Sequence, residues 1–176
     1  MRILVINASP REGGNTQQLA EAFSRGAEEV GNEIVFLNLR GKKIAGCLGC
    51  RYCYAHEGKC VQRDDMQQIL KTLDLVDMVV FASPIYWFDM NAQMKAVVDR
   101  MYAKGATGFA FNKVALILDA GGEHVIDAAG TQYRLTCNYL NWKNMGIVLA
   151  PNMEKIGGAS ASPAMRQAYE LGKSLR

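Results

Sequence analysis

The stretch RILVINASPREGGNTQQLAEAF, residues 2–23, decides the architecture. RILVIN (2–7) is a short run of branched apolar residues with no polar alternation, the pattern of a strand buried on both faces. A polar, glycine-containing loop follows, and residues 15–30 then place Leu19, Ala22, Phe23 and Ala27 on one helical face. Strand, loop and amphipathic helix recur along the chain. EIVFLN (33–38), DMVVFAS (77–83), VALILDA (114–120) and GIVLA (146–150) read as further buried strands, and helices are predicted near 65–74, 91–103, 124–141 and 163–175. Parallel neighbours require long crossovers, and right-handed crossovers stack the helices as layers. The expected fold class is therefore α/β: a doubly wound five-stranded parallel sheet with helices on both faces.

The chain has 176 residues, 49% of them hydrophobic, which is the size and core content of one domain spanning 1–176. A formal charge of +3 with scattered Lys and Arg gives no basic block and argues against a nucleic-acid partner. No segment is long and apolar enough to span a bilayer, and the N-terminus lacks the pattern of a signal peptide. A cytoplasmic protein is expected. There its five cysteines would stay reduced, so their spacing reads as metal or redox chemistry in place of a disulfide framework. GGASASP (157–163) reads as a flexible loop.

In such a sheet, ligands collect beyond the carboxyl ends of the strands where the strand order reverses. The first tip carries SPREGGNTQ (9–17). It lacks both G-x-G-x-x-G and Gly-Lys-Ser/Thr, so it suits a terminal phosphate better than a pyrophosphate. Gly13 and Gly14 let the backbone curl, Ser9 and Thr16 carry hydroxyls, Arg11 carries a charge, and the helix start at Asn15 or Thr16 points free amides at an anion. The same residue types also make an ordinary turn with an N-cap. The third tip carries SPIYWF (83–88), where Tyr86, Trp87 and Phe88 follow one another beyond a buried strand. A flat ring such as a flavin would cover them, and core packing or a subunit seam is the other reading. At the fourth tip, Ala120, Gly121 and Gly122 allow close approach of a planar ligand or form a plain strand-to-helix turn.

In this order and spacing, SPREGGNT (9–16), GCLGCRYCYAHEGKCVQRDDM (46–66), SPIYWFDMNAQMKAVVDR (83–100) and DAGGE (119–123) resemble the NAD(P)H-dependent FMN reductases of the flavodoxin-like superfamily, most closely the iron-sulfur flavoproteins. The resemblance implies a flavodoxin-like sheet of order 2-1-3-4-5 with FMN at the strand tips. It assigns the phosphate to Ser9, Arg11, Asn15, Thr16 and Gln17. It frames the isoalloxazine with Pro84, Ile85, Tyr86, Trp87, Phe88, Ala120, Gly121 and Gly122. It further implies NAD(P)H as co-substrate, flavin, quinone or another small-molecule or protein redox partner as acceptor, and a homodimer or homotetramer. A non-enzymatic electron carrier reduced by a ferredoxin-like donor is the alternative. No catalytic side chain is assigned, because the cofactor carries the chemistry.

Within a loop at about 40–64, Cys47, Cys50, Cys53 and Cys60 form C-x2-C-x2-C-x6-C. Two-residue gaps turn successive thiolates to one side, Gly49 and Gly58 ease the turning, and Arg51, Lys59 and Arg63 offset negative charge. A 4Fe-4S cluster, tetrahedral zinc and simple packing thiols are the three readings of this spacing. Cys137 reads as core. His124 reads as an exposed helix end or a proton donor to reduced flavin. Asp99 and Arg100 read as a local surface ion pair or a contact to another subunit, and Met90, Met94 and Met101 as core or interface packing.

Overall fold

The computed structural model describes all 176 residues. Strand β1 (Arg2–Asn7) leads into helix α1 (Asn15–Glu29), then β2 (Glu33–Asn38), a one-turn helix α2 (Tyr52–Ala55) and α3 (Met66–Leu73). Strand β3 (Met78–Tyr86), a two-residue strand β4 (Asp89–Met90), α4 (Ala92–Arg100), β5 (Lys113–Asp119), α5 (Asp127–Leu140), β6 (Lys143–Ala150) and α6 (Pro163–Lys173) complete the chain. The sheet runs β2-β1-β3-β5-β6, with β4 attached to β3 alone. All pairs along that path are parallel, so the order is the expected 2-1-3-4-5 once β4 is set aside, and the fold is flavodoxin-like.

Side-chain alternation along the strands divides the interior. Ile3, Val5, Met78, Val80, Ala115 and Ile117 pack against α1 and α6. Leu4, Ile6, Val79, Phe81, Leu116 and Leu118 face the opposite core, where α3, α4 and α5 supply Ile69, Met94, Val97 and Tyr133. Both faces are dry, which explains the unbroken apolar runs. Met90, Met94, Met101 and Cys137 all belong to this second core, so the packing reading of these residues holds.

Where α1 crosses α6 the two backbones touch. A methyl group added at Gly172 would fall inside the contact radius of Phe23 O, and one at Gly26 would strike Tyr169 O. Backbone cannot swing aside as a flexible side chain does. Gly172→Ala is expected to cost about 1–3 kcal/mol through overpacking, read as a lower urea midpoint with an unchanged denaturant slope.

Several boundaries differ from the sequence reading. β3 does not stop at Ser83 but continues to Tyr86 and folds back on β4 through Trp87 and Phe88. Both turn residues have left-handed φ, 49° and 67°, in a two-residue hairpin of type I′. The helix expected over 91–103 passes into a 3-10 segment at Met101–Ala106, and the one expected over 124–141 begins with a 3-10 turn at His124–Ile126. β6 starts at Lys143, three residues early, because a bulge opposite Val114/Ala115 lets Asn144 and Gly146 pair with successive residues of β5. Residues 157–163 are not a loose loop: they form a 3-10 turn with Ala159 buried. No helix is long and apolar enough to cross a membrane.

Candidate functional site at the strand tips

Gly14 is the N-cap of α1, and no side chain caps it. The first amide of the helix with an internal acceptor is that of Gln18, to Gly14 O at 3.0 Å, so the amides of Asn15, Thr16 and Gln17 are unspent. They coincide with the positive end of a four-turn helix, where an anion is stabilised. Asn15 and Thr16 edge a cavity of about 200 Å³ that is lined by Ser9 and Arg11 from the same tip, by Pro84, Ile85 and Tyr86 from the third, and by Ala120 and Gly121 from the fourth. The Arg11 side chain is exposed and makes no ion pair within the chain.

The side chains around this cradle have other duties than the sequence suggests. Ser9 Oγ donates to Arg11 O at 2.9 Å and accepts from Arg11 N at 3.2 Å, which ties the loop into its curl. A Cβ at position 14 would lie 2.5 Å from Ser9 Oγ, so glycine is required there. Asn15 donates to Met153 O at 3.0 Å and Lys155 O at 2.8 Å, and accepts from Ala159 N at 3.2 Å. Its amide is fully used in fastening the segment after β6. Gln17 accepts from Gly13 N at 3.1 Å and donates to Glu21 at 2.7 Å, outside the cavity lining. The Thr16 hydroxyl donates to the Asp119 carboxylate. The free anion donors are therefore backbone amides and Arg11, with the polar side chains shaping the cradle.

Trp87, Phe88 and Gly122 also lie beyond the lining, at the rim of their respective tips. Trp87 is 94% exposed, and with Phe88 it holds a backbone conformation that bulky residues rarely adopt. Two adjacent aromatics in such a turn store local backbone strain. Asn91, fully buried, joins the first and third tips: its Nδ2 donates to Ala8 O at 2.7 Å, its backbone N donates to Ser83 Oγ at 3.1 Å, and its Oδ1 caps α4 through Met94 N at 3.1 Å. The apolar pattern did not single out this residue, although an Asn preceding a helical period is an N-cap signal. Asp119 lines the cavity at 7% exposure. Burial pushes its carboxyl up to about 6, against the opposing effects of the Thr16 hydrogen bond and the Arg11 charge. Met153, Glu154 and Ile156 close the remaining wall from a segment without any recognisable motif. His124 is exposed in its 3-10 turn and does not reach the cavity.

The cysteine loop forms a second locus. Cys47, Cys50, Cys53 and Cys60 all line one small cavity, reached by left-handed turns at Gly49, Arg51 and Gly58. No three His, Cys, Asp or Glu side chains stand close enough together to share one metal ion. Arg100 also lines this cavity, and it is no surface residue: at 1% exposure it forms a two-pronged pair with Asp64, at 2.8 and 3.0 Å, and donates to Ala45 O at 2.9 Å. Asp99 pairs instead with Lys95, one turn back, at 2.5 Å. Burial disfavours the Arg100 charge, and hydrogen bonding to Asp64 with the adjacent Cys60 more than restores it. Its Nε is buried without an oxygen or nitrogen partner. A fixed cation under four thiols is the electrostatic setting that a negatively charged metal–thiolate centre requires, so this donor set fits an iron–sulfur cluster.

The sequence profile of a family described as NADPH-dependent FMN reductase matches residues 1–154. The chain is 31% identical to an iron-sulfur flavoprotein of Archaeoglobus fulgidus over 99% of its own length and 79% of that protein's. It is 30% identical to the iron-sulfur flavoprotein of Methanosarcina thermophila over 99% and 93% of the two chains. Among solved structures it is similar to the NAD(P)H:quinone oxidoreductase from Methanothermobacter marburgensis, with a TM-score of 0.80 at 17% identity, covering 100% of this chain and 96% of that one.

Proposed function

This chain belongs to the NADPH-dependent FMN reductase family, and from that premise we propose that it binds FMN at the three strand tips and moves electrons from NAD(P)H to a flavin, quinone or other acceptor. The observation that carries the proposal is the convergence on one cavity of the unspent amides at the start of α1, an unpaired arginine, an aromatic strand end and the Ala120–Gly121 turn. Amides 15–17 and Arg11 would hold the phosphate. Pro84, Ile85, Tyr86, Ala120 and Gly121 would flank the ring, with Trp87, Phe88 and Gly122 at its rim. Bound there, FMN supplies hydride acceptance and its return as one or two electrons. The protein's own part is to position the ring, hold the phosphate charge and fix the polarity around the ring edge, without a side-chain acid or base.

Cys47, Cys50, Cys53 and Cys60 would hold a 4Fe-4S cluster, which supplies single-electron transfer. The exposed charges of Arg51, Lys59 and Arg63, next to these thiols along the chain, favour a second reading, in which an acidic, ferredoxin-like protein delivers electrons here and the chain serves as a carrier. An apolar groove of about 820 Å³, lined in part by Phe81, Met101, Tyr102, Phe109, Tyr139 and Trp142, supports a homodimer or homotetramer.

An anaerobic visible spectrum with iron and sulfide analysis tests both cofactors. Rapid NADPH oxidation with added FMN or quinone supports the reductase. Negligible turnover with fast reduction by ferredoxin supports the carrier. Arg11→Ala is expected to weaken FMN binding by about 10- to 100-fold, the effect of one charge-assisted hydrogen bond at a partly open site. Unchanged affinity in a fluorescence titration would remove the phosphate assignment.

A further inference from the structure

Thr16, buried beside the amide cradle, lines the cavity, yet its one hydroxyl hydrogen is given to Asp119. It has none left for an arriving phosphate oxygen. An ionised Asp119 beside it, itself buried, also presents a like charge to the anion. Protonation removes both obstacles: the acid O–H donates to Thr16 Oγ1, and the hydroxyl hydrogen turns outward. We propose that Asp119 takes up one proton from solvent when the FMN phosphate docks and relays it as a hydrogen bond through Thr16, so that the grip on the cofactor is coupled to pH. The inference rests on the FMN assignment above.

The surroundings leave Asp119 as the titrating group. Arg11 is the one cation in the cavity lining, Glu154, from the segment after β6, is the one other carboxylic acid, and Tyr86 the one phenol. The residues beside Asp119 on β3 and β6 are Pro84 and Ala150, which carry no charge. No charged side chain of α5 or of the turn before it lines the cavity. The carboxyl, held up at about 6 by burial, is already within reach of a proton at neutral pH. Asp119 is thus a positioning residue for the cofactor, acting through Thr16.

Asp119→Asn supplies the test, because its amide is uncharged and can donate to Thr16 Oγ1 at every pH. The full-length protein freed of flavin is titrated with FMN between pH 5.5 and 8.5, following flavin fluorescence, for both proteins. The ratio of wild-type to variant Kd is expected to climb by up to about tenfold per pH unit above pH 6, the slope of a one-proton linkage. The second ionisation of the FMN phosphate affects both proteins alike and cancels in this ratio. Riboflavin, which lacks the phosphate, is expected to show a flat ratio. Parallel FMN profiles in the two proteins, or weaker FMN binding by the variant at pH 8, would overturn the proton relay while leaving the FMN site standing. Absence of FMN binding by both proteins at every pH would remove the site reading and this inference together.

Discussion

Arg100→Leu is expected to lower the stability of this protein by about 3–5 kcal/mol, the cost of breaking a buried pair by removing one partner. The guanidinium holds Asp64 through two hydrogen bonds and Ala45 through a third, and Asp64 itself receives the amides of Ala45 and Met66 at 3.1 Å each. One cation thereby pins both ends of the cysteine loop to the end of α4. Burial raises the Asp64 carboxyl, but the bonds from Arg100 and from the Ala45 and Met66 amides outweigh it and hold the group below its usual 3.8. A lowered carboxylate stabilises the fold above its unfolded pKa and loses that contribution as pH falls through the folded value. The wild type should therefore lose this anchor only in strong acid. Urea unfolding of Arg100→Leu, Asp64→Leu and the double variant checks the assignment. The double loss is expected to be well below the sum of the two single losses, since each already breaks the same pair. Additive losses would show that the two residues act separately.

Asp119→Asn is expected to stabilise the flavin-free protein by about 3 kcal/mol at pH 8, the value of a shift of about two pKa units. The sign follows from the direction of the shift. A carboxyl raised to about 6 in the fold incurs no penalty below its unfolded pKa, and the fold loses stability as pH rises through the folded value. The gain from the substitution is thus absent near pH 3, appears between pH 4 and 6, and is complete above pH 7. Thermal unfolding at pH 3 and pH 8 distinguishes this from a general improvement in packing, which would raise the midpoint at both.

The sheet could be read from the chain because two-sided burial demands unbroken Val, Ile and Leu runs, and helical periods lie between them. The first tip was legible in the same way, through glycines and cap-forming residues at a strand end. What the side chains do there was not legible. Asn15 and Thr16 are good phosphate donors by type, but their partners, Met153, Lys155 and Asp119, lie more than a hundred residues away. Arg100 was misjudged for a related reason. Its neighbour Asp99 suggests a pair, yet adjacent helical residues point in different directions, whereas Lys95 sits over Asp99 and Asp64 meets Arg100 from another loop. The cysteine spacing was visible from the start, but nothing in it announced the buried cation beneath.

The hairpin at Trp87 and Phe88 sets a conflict for anyone hardening this protein against heat. An Asn-Gly pair at those two positions relaxes the left-handed backbone by roughly 1 kcal/mol per residue. A screen that scores survival alone would be drawn to that tip and would strip its two exposed aromatic faces. Under the flavin placement proposed above, robustness and cofactor binding are selected in opposite directions at this one bend.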